Sequence, residues 1–578
     1  MRQVNSTLGA GAQAAPATIA APARVLKFGS SILRGTDDLP RVVAELYRHV
    51  RKGERIVAVV SAFEGDTDDL IAEAAALGAT EESAHAPRYV ALGEERAAAA
   101  LALACDQAGF AVRVLGAEAL AFRADGDPQR ADPVSVDVAV LGDALAANDV
   151  VIVPGFVAFN DRHQPVLLGR GGSDLTAIIL ASELGLAEAT LLKDVDGVYD
   201  LDPAKAGEAA RRYAQISFDD ALEVAGELVQ SRALNHARRR GVAIRVGRLG
   251  AAEETLIADE TRAPEPPRKA APLRVALAGC GIVGGGVANL LTGHTDDFEL
   301  AGVLVRDLRK QRAAQTAGAE FVTSLDALLD LEPDVIVDVL SSGDVGLDVT
   351  RAALERGVSI VSANKQALAD TLVEMQTLAE TSGAVLGIGS SVGGGAVVLE
   401  TLRRIAGEEK IVRIEAVVNG TVNYILSELA KGKDFDASVK AAQLAGFAEA
   451  DPTADLSGAD AVAKAKILSV EAFGRTIEGP VETEVLDEAM LARMARESGV
   501  WRQITSVALT GSGAPTARVA YRNLDGAHPL YDLQGERNAI RIETEGGGVI
   551  TVKGRGAGAV PTAHSILGDL GVIRRRHG

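Results

Sequence analysis

A run of carboxylates that ends in a lysine, Gly446-Phe447-Ala448-Glu449-Ala450-Asp451-Pro452-Thr453-Ala454-Asp455-Leu456-Ser457-Gly458-Ala459-Asp460-Ala461-Val462-Ala463-Lys464, carries the residue types of proton chemistry. Turn chemistry at Asp451-Pro452 and Ser457-Gly458 places Glu449 and Asp455 in a loop and lets Asp460 open a helix, where its charge suits the free N–H groups. Four residues apart, Asp460 and Lys464 share a helix face. A partly desolvated lysine beside carboxylates can hand a proton to a developing alkoxide. The same spacing also describes a surface ion pair.

Two glycine-rich turns offer anion sites. Gly279-Cys280-Gly281-Ile282-Val283-Gly284 lies between an apolar strand, 273–278, and a helix expected from Gly285 to Leu291. That is the setting in which glycines admit a dinucleotide pyrophosphate. The next strand, Glu299 to Val305, ends at Arg306-Asp307 with Arg309 and Lys310 behind. The acid suits the ribose of NAD and the bases suit the extra phosphate of NADP, so NADP is expected with NAD left open. Later strands end at Ser341-Ser342 and at Ala363-Asn364-Lys365; a lysine at an interior strand end faces a ligand crevice more readily than a core. The second turn, Gly169-Arg170-Gly171-Gly172-Ser173-Asp174, precedes a long apolar helix and bares N–H groups to phosphate, or is mere turn punctuation.

These pieces need a scaffold of several domains, which 578 residues can supply. Alternation of strand and helix from Arg24, with Lys27 and Ser61 at strand ends, predicts a parallel α/β sheet covered on both faces. Short alternating runs at 517–521, 539–542 and 549–552 predict a small sheet near the C-terminus. The expected division is a leader at 1–23, a first α/β domain at 24–250, a proline-rich linker at 251–272, a Rossmann domain at 273–388, an α+β catalytic domain at 389–550 and a returning segment at 551–578. The charge of −20 and pI near 5.0 exclude nucleic acid and anionic membranes as natural partners. Two distant cysteines, Cys105 and Cys280, fit a reducing compartment, and no apolar run spans a membrane, so a cytoplasmic location is expected.

The acidic run resembles the substrate segment of homoserine dehydrogenases. So do Ala363-Asn364-Lys365, Ser390-Ser391-Val392-Gly393-Gly394-Gly395-Ala396, Val418-Asn419-Gly420-Thr421-Val422-Asn423 and the final Gly554–Ala563 loop, all in the family's order. The resemblance implies hydride exchange between NAD(P)H and L-aspartate 4-semialdehyde, giving L-homoserine. It makes Lys464 and Lys365 the catalytic lysines and places Glu449, Asp455, Asp460, Gly420 and Thr421 on the substrate. Gly279, Gly281, Ile282, Val283, Gly284, Arg306, Ser341, Ser342, Lys365 and Gly558 would hold the cofactor. A monovalent cation held through Val392, Gly394 and Ala396 is the family's further feature; Gly389 stands here in place of its glutamate and Val397 in place of its proline.

The first half resembles the amino-acid kinase family, most closely aspartate kinase. The resemblance rests on Lys27-Phe28-Gly29-Ser30-Ser31, Val60-Ser61-Ala62 with Thr67, Gly93-Glu94, the 169–174 turn and Asp194–Tyr199 with Asp202-Pro203. It implies that Lys27, Gly29, Ser30, Gly171 and Gly172 serve the phosphoryl group. Thr67, Glu94, Arg170, Ser173 and Asp174 would hold aspartate, and Asp194 and Tyr199 would face ATP with Mg²⁺. Ser30, Lys193 and Ala204 depart from the usual glycine, threonine and arginine, and the 67–93 segment is short. Together the halves resemble bifunctional aspartokinase/homoserine dehydrogenases, enzymes of threonine and methionine biosynthesis, with a linker too short for their ACT region; feedback through such a region is expected to be absent. Small-molecule substrates and a homo-oligomer, dimer or tetramer, are the expected partners. The alternatives are a dehydrogenase whose first half only binds or oligomerises, and a kinase for another acyl substrate such as N-acetylglutamate.

Overall fold

The computed structural model describes residues 22–577 apart from 81–82, 227, 252, 268–270, 311, 313–315, 317 and 557. The expected leader lies outside the described residues except for its last two. Strand β1 (Ala23–Phe28) is buried from Val25 onward and pairs in parallel with β2 (Arg55–Val60). Between them runs helix α1 (Leu39–Val50), whose Leu39, Val42, Val43, Leu46, Tyr47 and Val50 recur at helical spacing and are buried. Strands β3 (Val150–Pro154), β4 (Glu188–Lys193) and β5 (Ala243–Arg248) complete the parallel centre of an eight-stranded sheet, in the spatial order β5-β4-β1-β2-β3. Helices α2 (Leu92–Ala108) and α3 (Gly172–Glu183) belong to this half. The α/β expectation holds.

The stretch expected as linker is not all linker. Residues 255–258 form a strand antiparallel to β5 and flanked on its other side by a short strand at 215–217, and Thr255 and Ile257 are buried in it. The four prolines drew attention away from that short alternation. The second sheet has six parallel strands, of which β6 (Leu273–Ala278), β7 (Phe298–Leu304), β8 (Val335–Asp338) and β9 (Ser359–Ser362) form the body. Strand β6 lies between β7 and β8, so the chain reverses its direction of travel across the sheet there. Such a reversal opens a crevice at the strands' carboxyl ends. Helix α4 (Ile282–Thr292) starts at Ile282, three residues before the expected Gly285, directly on the glycine turn.

The third sheet is built mainly of antiparallel strands: β10 (Ile411–Val417), β11 (Val500–Leu509), β12 (Pro515–Leu524), β13 (Arg537–Thr544) and β14 (Val549–Arg555). Strand β14 runs through the boundary expected at 550/551. Helices α5 (Val398–Glu408), α6 (Gly420–Ala430) and α7 (Ala459–Phe473) accompany this sheet. The last helix, α8 (Ala559–His577), returns to pack on α4 and also on α1 of the first half. No helix among the described residues is long and apolar enough to cross a membrane.

Candidate active sites

Asp460 is the hub of the C-terminal site. It sits in the first turn of α7, and its two carboxylate oxygens take one lysine each: Lys464 Nζ at 2.8 Å on the next turn, and Lys365 Nζ at 3.0 Å from the end of β9. Burial works against the carboxylate's charge, but Lys464 and Lys365 overcome it and bring its pKa down to about 2. The Asp460 carboxylate in turn raises the Lys365 pKa. Lys464 gives a second N–H to the Val418 carbonyl at 2.6 Å, and Asn538 donates to the same carbonyl at 3.3 Å. An ammonium has three N–H groups, so one remains to meet a substrate oxygen.

The expected partners gather around this hub unevenly. Asp455 lies in a short helix, Thr453–Leu456, rather than in a loop, because Pro452 starts a turn of helix. Asn419 Nδ2 reaches its Oδ1 at 3.1 Å, while Asn419 Oδ1 caps α6 through Val422 N–H at 2.9 Å. Burial raises the Asp455 pKa, with Asp460 adding to the effect. Thr421 donates to the Phe447 carbonyl at 2.6 Å, which ties the Gly420-Thr421 turn to the acidic run. Glu449 is exposed, and its backbone carbonyl accepts from Gln443 at 3.2 Å. Asn538, fully buried in β13 beside Arg537, was not foreseen; its one signal was a polar residue on the apolar face of an alternating strand.

The dinucleotide turn has the required shape. Gly279 has φ +107°, and a Cβ on Gly284 would collide with the Gly279 carbonyl oxygen. Ile282 is 85% exposed at the start of α4, Val283 is half-buried, and Arg306, Ser341 and Ser342 are exposed around the same strand ends. Ser342 caps the helix that follows, and Gly558, at φ +124°, precedes α8. Gly284→Ala is expected to raise the KM for the nicotinamide cofactor by about tenfold, a backbone collision worth about 1.4 kcal/mol or more. Cofactor titration of initial rates measures it.

The loop of Val392, Gly394 and Ala396 has no carboxylate of its own to draw a monovalent cation, because Gly389 carries no side chain. The Ala396 carbonyl already accepts the Val398 N–H at 2.7 Å. The carboxylates beside Gly389, Glu400 and Asp569, face the guanidinium of Arg51, at 3.0 and 2.5 Å. Among the described residues no cluster of three or more His, Cys, Asp or Glu could hold a metal ion.

In the N-terminal half Asp174 is the counterpart of Asp460. Its carboxylate takes Lys27 Nζ at 2.7 Å and Lys193 Nζ at 2.9 Å, at the carboxyl ends of neighbouring strands β1 and β4. Burial pushes the Lys27 pKa down to about 8 even though Asp174 raises it, and Lys193 pushes the same way as burial. Lys193, noted only as a departure, therefore belongs to the cluster. Asp174, expected on the substrate, joins two cations instead. Glu94 accepts the Ala62 N–H at 3.3 Å with one oxygen, and burial raises its pKa to about 7. Gly171 has φ +74°, and Gly172 opens α3 against Phe156, itself at φ +71°. Gly29 is buried beside the Lys27 ammonium, Ser173 is buried, Thr67 is half-buried, and Ser30 and Arg170 are exposed. Asp194 and Tyr199 line a cavity of about 1000 Å³ whose other wall includes Thr295 and Phe298; the Tyr199 hydroxyl is held by Asp196 at 2.7 Å.

A dinucleotide-binding sheet with a lysine–aspartate–lysine cluster beyond its strand ends, preceded by an α/β domain with a similar cluster, defines a pyridine-nucleotide dehydrogenase joined to a kinase-type domain. Family models match in that order: the amino acid kinase family over 22–247, the homoserine dehydrogenase NAD-binding domain over 279–387 and homoserine dehydrogenase over 398–570. Homoserine dehydrogenase of Mycobacterium leprae is 33% identical over 317 residues, 52% of this chain and 72% of that protein. That of Corynebacterium glutamicum is 34% identical over 325 residues, 53% and 73%. The crystal structure of homoserine dehydrogenase from Thiobacillus denitrificans is 29% identical with a TM-score of 0.49, over 53% of this chain and 74% of that one. The chain belongs to the homoserine dehydrogenase family, and carries an amino acid kinase domain fused ahead of it.

Proposed function

We propose that Lys464, aimed by Asp460 and the Val418 carbonyl, is the proton donor of the homoserine dehydrogenase reaction. The observation behind this is Asp460 holding both lysines at 2.8 and 3.0 Å. The bound nicotinamide supplies or accepts the hydride at the substrate's terminal carbon. The remaining Lys464 N–H meets the aldehyde oxygen and gives it a proton as negative charge develops there. Lys365 holds Asp460 from the cofactor side and keeps it ionised. Asp455 and Glu449 take the ammonium end of the amino acid, and Thr421 fixes the wall between them. Exposed Arg306, with Arg309 and Lys310 after it, favours NADP. Oxidation of homoserine by purified protein, with NADP⁺ and NAD⁺ compared by kcat/KM, tests this reading; no turnover with either would reject it.

The kinase-type half is read as an aspartate kinase acting with MgATP. Buried Lys27 and half-buried Lys193 on one aspartate supply fixed positive charge for a phosphoryl group, and the Gly171-Gly172 turn adds backbone N–H groups. Thr67, Arg170, Ser173 and Glu94 face the amino acid, and Asp194 and Tyr199 face ATP from the cavity between the halves. Glu94 gives a test. A carboxylate whose pKa is raised to about 7 carries its charge above that pH and loses it below. The KM for aspartate is thus expected to rise as pH falls through about 7, approaching tenfold per unit. A flat KM between about pH 6 and 8 would exclude Glu94 from the ammonium site. A division into the domains expected above, with the first extended through Ala258 and the catalytic domain through Arg555, and an assembly of two or four copies complete the proposal.

A further inference from the structure

Gly389 lies where the second and third sheets meet, and the structure explains why it has no side chain. A Cβ there would stand 2.5 Å from Glu400 Oε1 and 3.3 Å from Asp569 Oδ2. The Gly389 N–H donates to that same Asp569 oxygen at 2.9 Å. Both carboxylates are buried, with side chains 7% and 5% exposed, and the cation between them comes from the other half of the chain. It is Arg51, just past the end of α1, itself 7% exposed. Burial raises the Glu400 pKa and Asp569 adds to that, against the charge of Arg51 and, more weakly, of Arg403.

The turn held this way is continuous with the proton donor. From Gly389 the backbone runs to Gly395, whose N–H donates to the Arg555 carbonyl at 3.2 Å. Next to Arg555, Gly556 packs so closely on Asn538 that a Cβ would collide with it. Asn538 donates to the Val418 carbonyl that Lys464 also uses. The first half makes a second contact on this path, because Asp106 near the end of α2 holds the Arg555 guanidinium at 3.2 Å. Helix α2 thus reaches from Glu94, in the kinase-type site, to the loop beside the dehydrogenase site.

We propose that the N-terminal half completes the dehydrogenase, and that Arg51 is the built-in cation of its glycine loop and a positioning residue for hydride transfer. The ion that this loop would otherwise draw to Glu400 and Asp569 is replaced by a guanidinium fixed to another domain. One guanidinium nitrogen, Nη2, reaches both carboxylates, and because it is tethered to α1 it holds position as well as charge, which a mobile ion does not. The inference rests on the dehydrogenase reading, and wild-type oxidation of homoserine is the control that separates the two.

The test is Arg51→Gln and Arg51→Lys in the full chain, with Asp569→Asn alone and combined with Arg51→Gln. Arg51→Gln is expected to lower kcat by about tenfold or more with KM for homoserine within about threefold, as loss of alignment does. Lysine should recover most of that loss, and Asp569→Asn should add little to Arg51→Gln because both break one bridge. A glutamine variant within about twofold of wild type, or a lysine variant as slow as the glutamine one, overturns the proposal. Should Arg51→Gln fail to fold, Asp569→Asn decides alone: a kcat lowered by about fivefold or more supports the bridge, and a smaller change overturns it.

Discussion

Lys464→Met should lower kcat for homoserine oxidation by about 10²–10⁴-fold, the range that a positioned acid or base supplies. Methionine keeps the length and apolar stem, so α7 should stay packed and KM for homoserine should move by only about threefold. What is lost is the ammonium itself. Asp460 would keep Lys365 at 3.0 Å on Oδ1 and the Val418 carbonyl would keep Asn538 at 3.3 Å, while Asp460 Oδ2 alone loses its partner; a melting temperature within a few degrees of wild type separates loss of the acid from loss of the fold. In the reducing direction nothing would then neutralise the oxygen as hydride arrives at carbon. Initial rates followed through the absorbance of reduced nicotinamide, in both directions, measure the effect. Wild-type turnover would remove Lys464 from the mechanism and leave Lys365 as the acid.

How much of this was legible in the residues depends on how local the feature is. The Asp460–Lys464 pair follows from one helical turn, and the glycine turn before α4 from a strand and helix on either side, so both could be read from spacing alone. Lys365 could be placed at a strand end, but its meeting with Asp460, about a hundred positions away, is a property of how two sheets pack. Lys193 illustrates the same limit: as a single residue it was a departure, and only the parallel pairing of β1 with β4, which sets Lys27 beside Leu191, brings Lys193 to the same end of the sheet and onto Asp174. The linker was misjudged because prolines dominate composition, while the strand 255–258 is specified by pairing with β5. Arg51 had no local signal at all. A single arginine at a helix end usually caps its own carbonyls or faces water, and its partners, Glu400 and Asp569, lie in a different half.

Asp174→Asn in the kinase-type site carries the other large expected effect, and its pH dependence identifies the cause. The Lys27 pKa stands at about 8 because burial pulls it down and Lys193 adds to that, while Asp174, and more weakly Glu94, oppose them. An asparagine of the same size keeps the packing of α3 but removes the charge, so the Lys27 pKa falls further. At neutral pH a smaller share of the variant's lysines carries the charge, and a neutral amine cannot stabilise a transferring phosphoryl group. Formation of aspartyl phosphate, trapped as the hydroxamate from MgATP, L-aspartate and hydroxylamine, is expected to drop by about 10²–10³-fold at pH 7. The sign of the pH response follows. Wild-type activity should decline as pH rises past about 8, where Lys27 loses its proton. The variant's decline should begin at lower pH than the wild type's, because its lysine loses the proton earlier. A variant with the wild-type profile would mean that Asp174 does not set the charge of Lys27. Absence of hydroxamate from the wild-type protein, in a sample that still oxidises homoserine, would mean that the domain keeps the fold of a kinase and serves the dehydrogenase through Arg51 and Asp106 instead.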